Sequence, residues 1–492
     1  MLKIYCITYN LILSLLLFLI IEGLNIQQNY SLMLIYSINN MVVFSLFLYY
    51  ELKNYNGINL NLLLLIAYFV RLYLPSISMS LDACMGIKLY YDNNRIDDYV
   101  FPTIIWMNIV YTVFYFILSK LTSKYTIDEY IIPFFYKYNI LALSIFLYII
   151  GNIYNIVISN IPDAELFIPS AFSQILSKIT ILAILLQMLN TLYRYSKVNY
   201  SIFIGFVLFN IIYSIFFGFY KSALIIPILL YCWYYFLDCK SNGKRILNIK
   251  FVVLICFTLF FTKSFVYPFM SAKRSLSGFN VGLGKSVGAT REYSNIEIMS
   301  DVISGKIKKN DKHSAFGRLN SIPTNAFFYK AVVKRGRYDH KILMNNMKML
   351  IPRFLYPEKG INSAGLMAES YAKTGSFNNY KRSKSNIYVG QFAGSFLNGG
   401  YLLVIIMSII NPILISLLFK TLLNNITNIF AIFFLSNLLL ATVFGFEEIH
   451  DGGIQRCIIY SIIIIFVKLS SYFVPHIKID DNYENLIYLQ KQ

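Results

Sequence analysis

Seven arginines, Arg274, Arg291, Arg318, Arg335, Arg337, Arg353 and Arg382, fall in one stretch of the chain between Ser271 and Ser395. A guanidinium is planar, keeps its charge and grips phosphate through parallel N–H donors, so such a group points to a phosphate-bearing substrate. The cations are densest in two strings. Lys334-Arg335-Gly336-Arg337-Tyr338-Asp339-His340-Lys341 surrounds the expected start of a short helix, capped by Asp339 and ended by Pro352, and a helix N-terminus is itself an anion site. Ile351-Pro352-Arg353-Phe354-Leu355-Tyr356-Pro357-Glu358-Lys359-Gly360 is a turn braced by two prolines, which holds Arg353, Glu358 and Lys359 in fixed directions at little entropic cost. Transfer to a hydroxyl needs at most one base, and Glu358, Glu369 and His340 are candidates, although His340 fits a structural place beside the Asp339 cap better. Glu447-Glu448-Ile449-His450-Asp451 could supply a base or bind a divalent ion, and an ordinary solvated turn explains these residues equally well. Adhesion to anionic headgroups would likewise account for any single arginine, but does not require a segment this long.

These residues must be held by something, and composition says what. Of 492 residues 57% are hydrophobic and 14% charged, against about 25% charged in soluble chains. That excludes a cytosolic enzyme, a disordered chain and a small secreted domain. A crossing of the hydrocarbon core needs about 20 apolar residues. Apolar runs of that kind lie at 11–21, 31–50, 60–78, 101–119, 139–159, 171–192, 201–219, 221–237, 251–270, 396–419, 427–445 and 456–474. The expected fold is therefore an all-α polytopic membrane protein of about twelve spans. It divides into spans one to nine (1–270), a large basic loop (271–395), spans ten to twelve (396–474) and a tail (475–492). Glu22-Gly23-Leu24-Asn25 offers no small-x-small cleavage site, so the first run is expected to stay as a span.

Alternate short connections carry fourteen Lys or Arg on one side and four on the other. By the positive-inside rule both termini are cytoplasmic and 271–395 lies outside the cell membrane. That loop holds 21 Lys or Arg against 7 Asp or Glu. Gly278, Gly282, Gly284 and Gly288 predict an irregular lead-in to it, while Asn325–Val333 and Ile342–Ile351 are apolar enough to fold. With this orientation Arg71 falls in the outer third of the third span, level with Lys263 and Lys221, and the three predict a cationic pocket for a lipid pyrophosphate. Lys468 lies near the inner face and snorkels. The six cysteines show no zinc or redox spacing, and Cys84 and Cys457 fall near the outer face, where they could pair. Basic motifs interleaved with aromatics, as nucleic-acid binding requires, are absent.

The twelve-span topology and the late outer loop resemble those of the bacterial oligosaccharide repeat-unit polymerases, the Wzy type that builds O-antigen and capsule. So do Ile351-Pro352-Arg353-Phe354-Leu355-Tyr356-Pro357-Glu358-Lys359 and Gly390-Gln391-Phe392-Ala393-Gly394-Ser395-Phe396-Leu397-Asn398-Gly399-Gly400. Arg353 to Gly365 and Arg382 to Gly394 are each one residue longer than the paired arginine–glycine motif of some members. The resemblance implies a metal-independent, inverting glycosyltransferase without cofactors. It would pass a glycan from polyprenyl pyrophosphate to the sugar of the next lipid-linked repeat unit, at the outer face of the bacterial cell membrane. Arg353, Glu358, Lys359, Arg318 and His340 would then be catalytic, and Arg71, Lys221, Lys263, Arg274, Arg335, Arg337 and Arg382 would bind substrate. Its partners would be membrane lipids, a chain-length regulator and a flippase. An O-antigen ligase shares this scaffold. A transporter or lipid-linked oligosaccharide flippase is the competing reading; carriers, however, are built from two repeated halves, and no repeat is visible here. A membrane O-acyltransferase is a weaker option, since no midplane histidine is present.

Overall fold

The computed structural model describes residues 2–24, 26–54, 60–91, 94–123, 125, 138–160, 179–216, 285–287, 292–294, 321–337, 391–426, 428–443 and 453–473, with Ser300 and a few residues between 230 and 238. In order the elements are α1 (Leu2–Leu24), α2 (Tyr30–Asn54), α3 (Leu60–Tyr68), a π-helical turn (Phe69–Tyr73) and α4 (Leu74–Cys84). A small hairpin of β1 (Tyr90–Tyr91) and β2 (Asn94–Arg95) leads into α5 (Asp97–Thr122), α6 (Ile140–Asn160), α7 (Ile179–Tyr193) and α8 (Lys197–Phe216). Then come β3 (Lys285–Val287), β4 (Glu292–Ser294), α9 (Ile322–Arg335), α10 (Gln391–Asn424), α11 (Ile429–Val443) and α12 (Gly453–Phe473).

Among the described residues five helical stretches are long and apolar enough to cross a membrane: Lys3–Leu24, Tyr30–Glu51, Leu60–Cys84, Asp97–Thr122 and Phe392–Asn424. Leu16, Leu19, Ile35, Val42, Ile149, Ile405 and Ile462 lie exposed on their helices. Apolar surface on that scale suits lipid rather than water. The helices are compatible with a multi-pass membrane protein, and the predicted runs at 11–21, 31–50, 101–119, 139–159 and 201–219 each coincide with one. The run at 251–270 and most of 221–237 lie outside the described residues.

The chain forms two compact units, one of Met1–Ile131 with Leu319–Gln492 and one of Ile132–Arg318. In the second unit α6 and α7 approach closely at Gly151, where a Cβ would stand 2.4 Å from Thr180 Oγ1. Gln187 of α7 accepts from Ser144 at 2.9 Å, and Tyr148 stacks on Phe206 with centroids 3.9 Å apart. Small residues and side-chain amides of this kind hold helices together where lipid provides no hydrophobic contrast. In the same unit β3 pairs antiparallel with β4, so part of the glycine-rich stretch expected to be irregular is an ordered hairpin.

In the first unit, side-chain contacts fix which helix ends lie together. Lys3 and Glu51 pair at 2.9 Å, Tyr115 donates to Glu51 at 2.6 Å, and Thr122 donates to Asn61 at 3.1 Å. These define an N-terminal end. At the opposite, loop end, Gln28 of the α1–α2 turn bonds Asp98 at the start of α5. Midway between them Asn108 offers its amide to Asn10, Ser14, Tyr36 and Asn40 at 3.0 to 3.3 Å, and Asn10 donates to Thr112 at 2.9 Å. This buried neutral network satisfies polar groups that would otherwise be costly in an apolar interior.

Candidate functional site

The loop end gathers what the sequence places far apart. Its central piece is α9, from within the basic segment 271–395. Its residues Ile322, Asn325, Ala326, Phe328 and Tyr329 are buried, so α9 packs into the bundle and does not lie on its surface. At its foot, Ser321 donates to the Arg71 carbonyl at 3.2 Å. Asn325 donates to the Ser321 carbonyl at 2.8 Å and accepts the Ala393 N–H at 3.1 Å. One buried amide thus ties the start of α9 to the start of α10. At the other end of α9, Lys334 and Arg335 occupy the last turn, and Gly336, at φ 87°, donates to the Val332 carbonyl at 2.8 Å. Lys334 and Arg335 therefore face the negative end of a helix dipole. The helix expected to start at Asp339, with this string around its N-terminus, lies outside the described residues, as do Asp339 and His340.

α10 explains the Gly399-Gly400 doublet. Gly400 is non-helical at φ 63°, ψ −156°, a conformation open in practice to glycine alone, and it splits α10 in two. The first piece runs alongside α9, with Ala393 beside Asn325 and the Phe396 ring tilted against that of Tyr329, centroids 5.0 Å apart. Arg337 lies against the break, since a Cβ on Gly400 would stand 2.9 Å from its Nε. Beyond the break Tyr401 packs on Trp106 with centroids 4.6 Å apart, and its hydroxyl meets that of Tyr329 at 2.8 Å. Tyr329 also reaches a Glu22 oxygen at 3.4 Å. Burial, then its contacts with Tyr401 and Glu22, holds the Tyr329 phenol above its ordinary pKa. Lys330 donates to the Arg95 carbonyl at 2.6 Å, and burial together with neighbouring Lys334 holds its ammonium pKa below the usual lysine value.

Beside these residues opens a cleft of about 940 Å³, lined by Glu22, Gln27, Gln28, Asp98, Tyr99 and Tyr329 among others. It is walled by the α1–α2 turn, the start of α5 and one face of α9.

Arg71 is placed differently from expectation. The helix that carries it continues past Ser78 to Cys84, which puts Arg71 near the middle of Leu60–Cys84 and not in an outer third. It is 6% exposed, within the π-helical turn where Leu74 N–H reaches back to the Phe69 carbonyl. It is therefore buried and does not snorkel. Arg335 and Arg337 are exposed at the far end of α9, about 20 Å from its foot at 1.5 Å rise per residue, so no single phosphate touches both ends. Arg274, Arg318, Arg353, Arg382, Glu358, Lys359, His340, Lys221, Lys263 and the Glu447–Asp451 string lie outside the described residues. Cys84 is a free, exposed thiol, so the pairing with Cys457 that their positions allow is not formed in this structure. The sequence reading missed Glu22, Asp98, Tyr329 and Tyr401. The signal was there for the first two: both are acids at span edges on the loop side of the charge count.

No protein-family model matches the chain, nor does any curated protein or solved structure.

Proposed function

We propose that the chain polymerises lipid-linked oligosaccharide repeat units at the outer face of a bacterial cell membrane, taking polyprenyl-pyrophosphate-linked glycan as substrate and using no cofactor. The observation that carries this reading is α9. A basic segment that only adhered to lipid would not bury Ile322 to Tyr329 inside a helical bundle, nor latch itself to α10 through Asn325. Built in this way, the segment can hold cations such as Lys334, Arg335 and Arg337 in fixed positions at the end of α9, as a departing pyrophosphate requires. Arg353 remains the leading catalytic candidate, because in the sequence it stands between Pro352 and Pro357.

Purified protein in liposomes, given its lipid-linked repeat unit alone, should produce elongated glycan on lipid. Arg353→Lys keeps the charge but loses the fork, and should lower that rate by roughly 10²–10³-fold with normal insertion. Elongation that needs a lipid A core acceptor would indicate an O-antigen ligase. A flippase is the second reading, favoured by buried Arg71 and the Asn108 network halfway along the bundle, since carriers place polar groups at that depth. Translocation of the labelled lipid-linked unit without elongation would establish it.

A further inference from the structure

The geometry points to the cleft beside Tyr329 as a binding site for the uncharged sugar rings of a glycan, separate from whatever holds the pyrophosphate. This inference rests on the glycan reading above and adds where the saccharide sits. Among the described residues none that lines the cleft is a Lys or Arg, although the chain carries 43 of them. A phosphate would meet the like charge of Glu22 and Asp98 there and no cation to offset it. Glu22, Asp98, Gln27 and Gln28 instead offer carboxylates and side-chain amides, the groups that accept from and donate to paired hydroxyls. Tyr30 and Tyr99, both half-buried in the lining, bring rings, which pack on the apolar face of a pyranose. Among the described residues the Gln27 amide, half-buried in the wall, makes no hydrogen bond and is available to a ligand. The volume, about 940 Å³, lies at the upper end of the roughly 300–1,000 Å³ of small-molecule sites, which suits more than one sugar ring.

The rim of the cleft also supplies its own reporter. Cys84 lines it and is a free, exposed thiol. Full-length protein in detergent is treated with N-ethylmaleimide, and alkylation of the Cys84 peptide is timed by mass spectrometry. The probes are oligosaccharides released by mild acid from the host cell's lipid-linked glycans, inorganic pyrophosphate, and polyprenyl phosphate. Saturating oligosaccharide should slow alkylation at least fivefold, and the two phosphates should leave it unchanged. Glu22→Gln and Asp98→Asn keep side-chain size. Each should raise the half-protecting oligosaccharide concentration about tenfold, the equivalent of one charge-assisted hydrogen bond. An unchanged alkylation rate without ligand verifies that each variant is folded. Absence of protection by oligosaccharide, or protection by either phosphate alone, overturns the proposal. Elongation in liposomes separates this from the function itself. Elongation with Cys84 unprotected removes only the cleft; protection without elongation removes only the polymerase.

Discussion

Tyr329 is the residue on which three chain-distant parts of the loop end meet: its hydroxyl faces Tyr401 at 2.8 Å and Glu22 at 3.4 Å, and the side chain is buried. Removing that hydroxyl leaves its shape, so Tyr329→Phe should cost about 1 kcal/mol at neutral pH, the net value of a made hydrogen bond. Its pH dependence has a definite sign. The folded-state pKa lies above the ordinary value of 10.0, so above that pH the unfolded chain releases this proton while the folded chain keeps it. The stabilisation is complete below pH 10 and is lost as pH rises further. Melting temperatures of wild type and Tyr329→Phe, compared from pH 8 to 11, should therefore converge above pH 10. A gap that stays constant would show that the phenol is not held neutral by its surroundings.

At the scale of elements, the sequence made some features legible and hid others. Long helices such as α5 were visible because a run of some 20 apolar residues has few alternative explanations. The π-helical turn around Arg71 was not, since a shift of backbone partners from four to five residues leaves no mark on composition. Asn325–Val333 read as a piece that folds, but its burial inside the bundle depends on α5 and α10, which no local pattern reports. Arg335 and Arg337 were visible by charge. Glu22 and Asp98 carried a signal as acids at span edges, but their meeting with Tyr329 and Tyr401 did not show, because the four come from separate regions and only the packed helices unite them. The break at Gly400 was hidden in a glycine doublet that could have marked any loose turn. It now carries a prediction. At φ 63° an alanine is strained by about 1–3 kcal/mol, and its Cβ would press on Arg337 Nε at 2.9 Å. Gly400→Ala should lower detergent-solubilised stability by about 2 kcal/mol. Gly205→Ala is the control: nothing lies within 4 Å of its Cβ on α8, and it should be neutral or stabilising by up to about 1 kcal/mol.

At the scale of the whole molecule, the contacts sort the helix ends of the first unit into two sets, and the charge count predicts which set faces the cytoplasm. Contacts within the first unit put Lys3, Glu51 and Tyr115 at one end. Glu22, Tyr329, Cys84 and Asp98 gather at the other. α5 and α10 run the same way, since Asp98 and Ala393 start near α9 while Lys420 lies over Tyr125, just past the end of α5. Parallel helices need an odd number of crossings between them, and five predicted spans, the fifth to the ninth, supply it. The sign of the orientation is an expectation from charge: fourteen cations in alternate connections against four predict that the Lys3 end is cytoplasmic. Cys84 should accordingly react with a membrane-impermeant maleimide added to intact cells. Lys53→Cys, exposed at the opposite end, should react only after the cells are opened. The reverse pattern, with both proteins stable, would invert the molecule and place α9 and the cleft beside it in the cytoplasm, where the proposed outer-face polymerisation has no place. Equal labelling of both positions in intact cells would instead break the packing of α1, α2 and α5 into one antiparallel set, since Cys84 and Lys53 would then share a side.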